Sequence, residues 1–230
     1  MKCLVKMSVI VSASALVNAI QSSLFIPIRS HSEFTPGYDL YEVYLFGLCV
    51  QAAESIGMSV SFQDTAGMPT NALVLRTSPS SIWSQTQRFT HAALLLHGSI
   101  RLEVHLGIYV KGGSGVSHEA DVAVIEAAEA ARARVQQNDP RVNQTAIVIE
   151  AKFYSSNVRL RTGREFLGLA ADFGGGSSIF VSSSPGDSVH RLLSYRSRSA
   201  HFELVPASAQ ESELKSQIAT KLRDYLARHP

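Results

Sequence analysis

Residues 146–154 read AIVIEAKFY, and the reading of this stretch decides the fold. A continuous apolar run leads into two charged positions, and the whole segment is the strongest strand signal in the chain. Side chains alternate along a strand, so Glu150 and Lys152 share one face while Ile147, Ile149, Ala151 and Phe153 take the other. An acid and a base placed beside so apolar a segment need partners or solvent.

Upstream, residues 117–125 read SHEADVAVI, which sets Asp121 at the head of a second hydrophobic strand over 121–125. Between the two strands, 126–137 is Ala- and Arg-rich, with Glu129 and Arg132 three apart, and reads as an exposed helix of small apolar content. Asn138, Asp139 and Pro140 stop it. Downstream, KFYSSNVRLRTGR (152–164) holds four basic residues and no acid, with Phe153 and Tyr154 interleaved. A helix over 163–173 follows, closed by Gly174–Gly176. Then come a strand over 178–181, a short helix over 188–195 and a last strand over 201–205. The amphipathic helix 212–228 carries Leu214, Ile218, Leu222 and Leu226 at four-residue steps.

Towards the amino terminus, SHSEFTPG (30–37) is a polar linker or turn. Residues 38–56 are apolar nearly all round, which predicts a helix buried on most sides and ended by Gly57. Residues 72–76, 92–96 and 100–110 read as strands, the last two joined by a hairpin turn at His97-Gly98-Ser99, and 111–115 is a loop. Hairpins early and crossovers late define an α/β chain with a mixed central sheet flanked by helices.

The chain has 230 residues, of which 45% are hydrophobic and 17% charged, so it holds enough apolar material for a core and too little charge for disorder. A net charge of +2 gives no whole-surface field for a polyanion, and a nucleic-acid site must be local. Cys3 and Cys49 lack the spacing of a cysteine-rich zinc module or a disulfide framework. No apolar run reaches the ~18 residues of a membrane span, and no membrane partner is expected. Met1–Ala19 contains Lys2 and Lys6 ahead of a mildly apolar stretch diluted by serines. Secretion with removal of 1–19 is the minor alternative to a cytoplasmic location.

If the strands of Asp121 and Glu150 are neighbours, their carboxylates converge on one hard cation, Mg²⁺ or Mn²⁺, with a backbone carbonyl, that of Ala151, completing the protein donors. Such a cation neutralises a phosphate ester and lowers the pKa of a bound water. Lys152 then orients the water and stabilises charge developing in the transition state. Arg159, Arg161 and Arg164 are placed to contact phosphates, helped by backbone N–H groups at the start of the following helix. His190, Arg191, Arg196 and Arg198 form a second basic cluster that either extends this track or is ordinary surface.

An acid heading a strand, then Glu-x-Lys on the next core strand, then a helix, resembles the PD-(D/E)XK nuclease superfamily. Asp121 matches the first motif acid, with Ala120 where proline is commonly written, and Glu150 and Lys152 match the second motif. The resemblance implies a restriction-endonuclease-like αβββαβ core over 37–206 and metal-dependent cleavage of nucleic acid, DNA first. It also implies a further glutamate on the helix before the sheet, for which Glu42 stands. Asp121 and Glu150 stand 29 positions apart, and the helical segment at about 126–140 would be an insertion. Residues 1–36 are then an N-terminal extension and 207–230 a C-terminal helix. A homodimer would set two sites on the two strands of a duplex.

The competing reading is a noncatalytic nucleic-acid-binding or scaffold protein on the same fold, with Glu150 and Lys152 as a solvated strand end and Asp121 as a turn residue. Gly112-Gly113-Ser114-Gly115 and Gly174–Gly176 are loops, since no Gly-Lys-Ser/Thr follows either. His118 reads as a hydrogen-bonded loop histidine rather than a ligand, Glu119 as a solvated turn acid, and Glu103 as lying on the exposed face of its strand. No Gly-x-Ser-x-Gly elbow or Cys/His pairing points to acyl transfer.

Overall fold

In the computed structural model, which describes residues 12–28, 36–76 and 78–229, seven strands form one sheet in the order of the sequence. They are β1 (Ser59–Asp64), β2 (Thr90–Leu96), β3 (Ser99–Lys111), β4 (Ser117–Glu126), β5 (Thr145–Lys152), β6 (Ser178–Ser182) and β7 (Ser199–His201). The first five pair antiparallel, and β5–β6 and β6–β7 pair parallel, so the sheet is mixed as expected. The helices are α1 (Ala13–Leu24), α2 (Gly37–Ser55), α3 (Ala127–Gln136), α4 (Leu160–Phe173), α5 (Asp187–Tyr195) and α6 (Ala209–Arg228).

Alternation on the strands divides these helices between the two faces of the sheet. Ile147, Ile149 and Ala151 of β5 join the larger core beneath α1, α2 and α6, while Val148 joins a smaller core with Ala130 and Ala133 of α3 and Phe173 of α4. A third cluster packs Phe180 of β6 against Phe166 of α4 and Val189 and Leu193 of α5. Helix α2 is buried along most of its length, because α1 covers one flank, α6 another and the sheet a third. Tyr41 donates to the Leu204 carbonyl at 2.9 Å and Tyr44 to Glu211 Oε2 at 2.9 Å, so the polar tips of this apolar helix are satisfied. Cys49 sits fully buried within it as a free thiol, pushed up to about 12 by burial.

The β2–β3 turn falls where the sequence set it, with His97 at φ +52 and Gly98 at φ +82, the two positive angles of a type I′ hairpin. Several expectations need correction, among them the position of Asp121, which is the fifth residue of the ten in β4 rather than the head of a strand over 121–125. Residues 72–76 form no strand: Val74 exchanges hydrogen bonds with Thr90 through one backbone N–H and one side-chain hydroxyl, and only Leu73 makes a β-bridge, to Ile28. The last strand is 199–201 rather than 201–205, since Glu203 turns the chain at φ +55. Glu103 is 6% exposed rather than solvated, because α3 covers its face and Arg134 pairs with it. Helix α3 is not simply exposed: Glu129 is buried, held by Arg132 as its spacing predicts and also by Arg141. Strand β1 is an addition, with half-buried side chains and no strong apolar signal.

The linker reading over 30–37 lies mostly outside the described residues, as do Cys3 and residues 1–11 of the N-terminal segment. Ser8 and Lys6 belong to that undescribed part, whereas Ser12 caps α1 by accepting from the Ala15 N–H at 3.2 Å. No helix among the described residues is long and apolar enough to cross a membrane.

Candidate active site

The antiparallel ladder between β4 and β5 ends at the pair Val122–Ile149, and beyond it the strands part. The Ala151 N–H, left without a β4 carbonyl, donates instead to Asp121 Oδ2 at 2.6 Å. Lys152 reaches into the same fork: its Nζ lies 2.5 Å from Glu150 Oε1 and 4.0 Å from Asp121 Oδ2. The three residues that sequence reasoning required to meet therefore do meet, although the first and second stand 29 positions apart with a helix between them.

Gly107 helps to shape the fork. The β3–β4 register continues on either side of it, Leu106 with Val122 and Ile108 with Ala120, which leaves Gly107 opposite Asp121. Its φ of +51 is a left-handed value that glycine adopts without a Cβ penalty. The strand turns over there: Leu102, Val104 and Leu106 face the larger core, and Ile108 and Val110 face the smaller one. Strand β4 turns over at Asp121 in the same way, with Val122 and Val124 in the larger core and Ala120 in the smaller. Asp121 thus lies between the two layers, where α2 and β5 can both approach it.

Helix α2 supplies Asp39 and Glu42, three apart and so on one helical face. Glu42, Asp121 and Lys152 line a cleft of about 380 Å³ together with Asp39, Glu119 and Arg76. A second cleft of about 430 Å³ shares Glu119, Asp121 and Lys152 and is walled by Glu165 and Phe166 of α4. The carboxylates of Asp39, Glu42, Glu119, Asp121 and Glu150 thus surround the fork, with Glu165 farther out on the wall of the second cleft. Burial, then the charges of Asp121, Asp39 and Glu119, push the Glu42 carboxyl up to about 9, against an opposing pull from Lys152. Burial and the Glu150 charge push Asp121 up to about 7, although Lys152 and the Ala151 N–H favour its anion. Partial shielding from water, then Glu150, raises Glu119, and burial raises Asp39. Burial works against the charged form of Lys152, but Glu150 and Asp121 outweigh it and hold the ammonium.

Asp39, Glu42, Glu119 and Asp121, which resist ionisation together, offer carboxyl oxygens for a hard dication, which takes oxygen ligands and offsets their repulsion. The residues present therefore fit Mg²⁺ or Mn²⁺ by chemistry. They are spread around the Lys152 ammonium: among the described residues, the three-residue group whose ligand atoms all lie within 4.8 Å of one another is His91, Glu103 and His105, on the far face of β2 and β3.

Arg159, Arg161 and Arg164 are exposed at the start of α4, whose first turn carries no acid. Arg161 is paired with Glu165 at 2.7 Å, which leaves Arg159 and Arg164 as the freer cations of the track. His118 is hydrogen-bonded as expected, to Asp172 Oδ2 at 2.7 Å, but from the end of β4 rather than from a loop. Sequence reasoning missed Asp39, and its signal was present, one turn before Glu42 on a helix already assigned. It also set Glu119 aside as a turn acid, when the residue lies on β4 at the rim of both clefts. No protein-family model, no curated protein and no solved structure matches the chain.

Proposed function

We propose that this chain is a divalent-metal-dependent nuclease that hydrolyses phosphodiester bonds, DNA being the first substrate to test, on a restriction-endonuclease-like core of the PD-(D/E)XK type. The observation that carries the reading is the meeting of Asp121, Glu150 and Lys152 where β4 and β5 part, with Glu42 of α2 beside them. A salt bridge placed for stability needs one acid, whereas this fork crowds five carboxylates about one ammonium, at a cost to the folded state that a catalytic role would explain.

Asp121, Glu150 and the Ala151 carbonyl would hold Mg²⁺ or Mn²⁺. When bound, the cation supplies charge neutralisation at the phosphate and an acidified water. Lys152 keeps its proton beside that position, where it can orient a water and stabilise the extra negative charge of the transition state. Asp39 and Glu42 lend further oxygens from α2. Arg159 and Arg164 at the α4 N-terminus are suited to neighbouring phosphates, as are backbone N–H groups of that turn, to which the N-cap side chain makes no hydrogen bond. Two such chains acting as a homodimer would address both strands of a duplex.

Supercoiled plasmid incubated with the protein and Mg²⁺ or Mn²⁺ tests the reading. Nicking is expected from the wild type, with loss of about 10²-fold or more in Asp121→Ala and Lys152→Ala and complete loss in EDTA. Folded protein that leaves plasmid, single-stranded DNA and RNA intact with both metals would overturn it. Retained DNA binding in that case would favour the noncatalytic reading.

A further inference from the structure

Beneath α3, the face of β2 and β3 turned away from the larger core holds a polar cluster that the fork does not use. His91 of β2 and His105 of β3 stack their rings, with centroids 4.8 Å apart and planes at 15°. Glu103, two residues before His105, shares its face of β3. His105 Nε2 lies 2.8 Å from Glu103 Oε2, and His91 Nε2 lies 3.6 Å from the same oxygen. The side chains of both histidines are 4% exposed, and that of Glu103 is 8% exposed. His91 Nε2 is fully buried, points at this oxygen and has no hydrogen-bond partner. A buried imidazole nitrogen left unpaired is unfavourable unless something else takes its lone pair or proton.

We propose that His91 Nε2, His105 Nε2 and Glu103 Oε2 form a binding site for one first-row transition dication, zinc in the first instance. The ligand atoms all lie within 4.8 Å of one another, and turns of the stacked rings would bring them to the ~3.4 Å spacing of neighbouring ligands around one zinc. Two imidazoles and one carboxylate suit zinc and its neighbours, not magnesium or calcium, so the site is chemically distinct from the all-oxygen donor set of the fork. A water completes the tetrahedron. Ligation takes His105 from the tautomer that donates through Nε2 to Glu103 into the Nδ1–H tautomer, with no net change in its protons. The ion bridges β2 to β3, and its role there is structural, since the cluster is closed to solvent.

Two guanidiniums oppose it. Arg134 of α3 donates to Glu103 Oε1 at 3.0 Å and Oε2 at 2.5 Å, and buried Arg76 lies close enough for its charge to act on both imidazoles. Arg134 is 24% exposed at its side chain, so it can keep Oε1 and yield Oε2 to the ion. The repulsion sets the affinity below that of a four-ligand structural zinc site.

The test uses the full chain carrying Asp121→Asn, which weakens metal binding at the fork without touching this cluster. After removal of metals by chelation, the protein is loaded with Zn²⁺ and passed over a desalting column, and separately titrated with Co²⁺. One zinc retained per chain, a visible tetrahedral cobalt spectrum and a rise in Tm are expected. Adding His91→Phe should weaken binding by about a hundred-fold or more, since loss of a ligand exceeds loss of a supporting partner. This substitution removes an unpaired nitrogen, and the far-ultraviolet circular dichroism should be unchanged. If that variant does not fold, the imidazole nitrogen resonances of the Asp121→Asn chain decide: both Nε2 signals must shift on Zn²⁺ addition. A folded Asp121→Asn chain that retains no metal, equal retention in folded His91→Phe, or unmoved nitrogen signals would overturn the proposal and leave a metal-free polar network. None of these outcomes depends on nuclease activity.

Discussion

Asp121 is drawn toward ionisation by the Ala151 N–H at 2.6 Å and by Lys152, and away from it by burial and by Glu150. Its carboxyl is pushed up from the ordinary 3.8 to about 7, so the folded chain keeps a proton that the unfolded chain has released. The sign follows: stability contributed by this group is full below about pH 4 and is lost as pH rises through 7. Asparagine accepts the same backbone hydrogen bond and carries no charge at any pH. Asp121→Asn should therefore melt close to the wild type at pH 4 and above it at pH 8, by roughly 2–8 °C for about 1–2 kcal/mol in a domain of this size. Mg²⁺ should narrow the gap by raising the wild type alone. The variant should lose cleavage. Equal melting temperatures across that pH range would mean that the fork is not electrostatically strained. Glu150 and Lys152 were legible in the sequence as charged positions on a regular strand, and Glu42 only through the resemblance. Glu103 was not: alternation gives a strand's polar face, but whether water or a helix covers that face is decided by α3, which lies elsewhere in the chain.

Elements meet at distances that particular residues permit, and α4 against α5 is the clearest case. A Cβ placed on Gly163 would fall 2.7 Å from Val189 Cγ1, inside van der Waals contact. The glycine thus fixes how closely the first turn of α4, which carries Arg159, Arg161 and Arg164, lies on α5. Alanine is the better helix former by about 1 kcal/mol, so propensity alone predicts that Gly163→Ala stabilises the chain. The contact predicts the reverse, a loss of about 1–2 kcal/mol by urea denaturation. With Val189→Ala in the background, space is restored and the same substitution should become stabilising, a change of sign that only direct contact explains. If Gly163→Ala stabilises both backgrounds, close packing is not what the glycine supplies. The elements themselves were readable to within a few residues wherever periodicity ran long, as in α2, α4, α6, β3 and β5. Residues 72–76 misled because they are apolar and buried without pairing in a ladder. The turnover at Gly107 was hidden because strict alternation has no symbol for it.

At the scale of the whole molecule, the flanking segments are parts of one core. Leu16, Ile20 and Leu24 of α1 and Leu214, Ile218, Leu222 and Tyr225 of α6 share a single hydrophobic cluster with α2 and the sheet. The four-residue spacing of α6 was plain in the sequence, but the spacing does not say which surface receives the stripe; that surface is the flank of α2 and β5. Tyr44 pins the arrangement through Glu211, which also accepts from the Ala207 N–H, while the Ser208 hydroxyl caps α6 by accepting from the Glu211 N–H. Four large buried side chains at about 1.5–3 kcal/mol each amount to about 6–12 kcal/mol, as much as the net stability of a typical domain. A chain ending at residue 208 should therefore lack a cooperative thermal transition and bind a hydrophobic dye, although it retains every residue of the fork. Ile218→Ala, by contrast, should keep the fold and lose about 2–5 kcal/mol to the cavity it opens. Its cleavage, measured well below its melting temperature, should match the wild type, because no α6 residue lines either cleft of the fork. A truncated chain that melts cooperatively would make α6 an appendage, and the core would then have to be held by α1 and α2 alone.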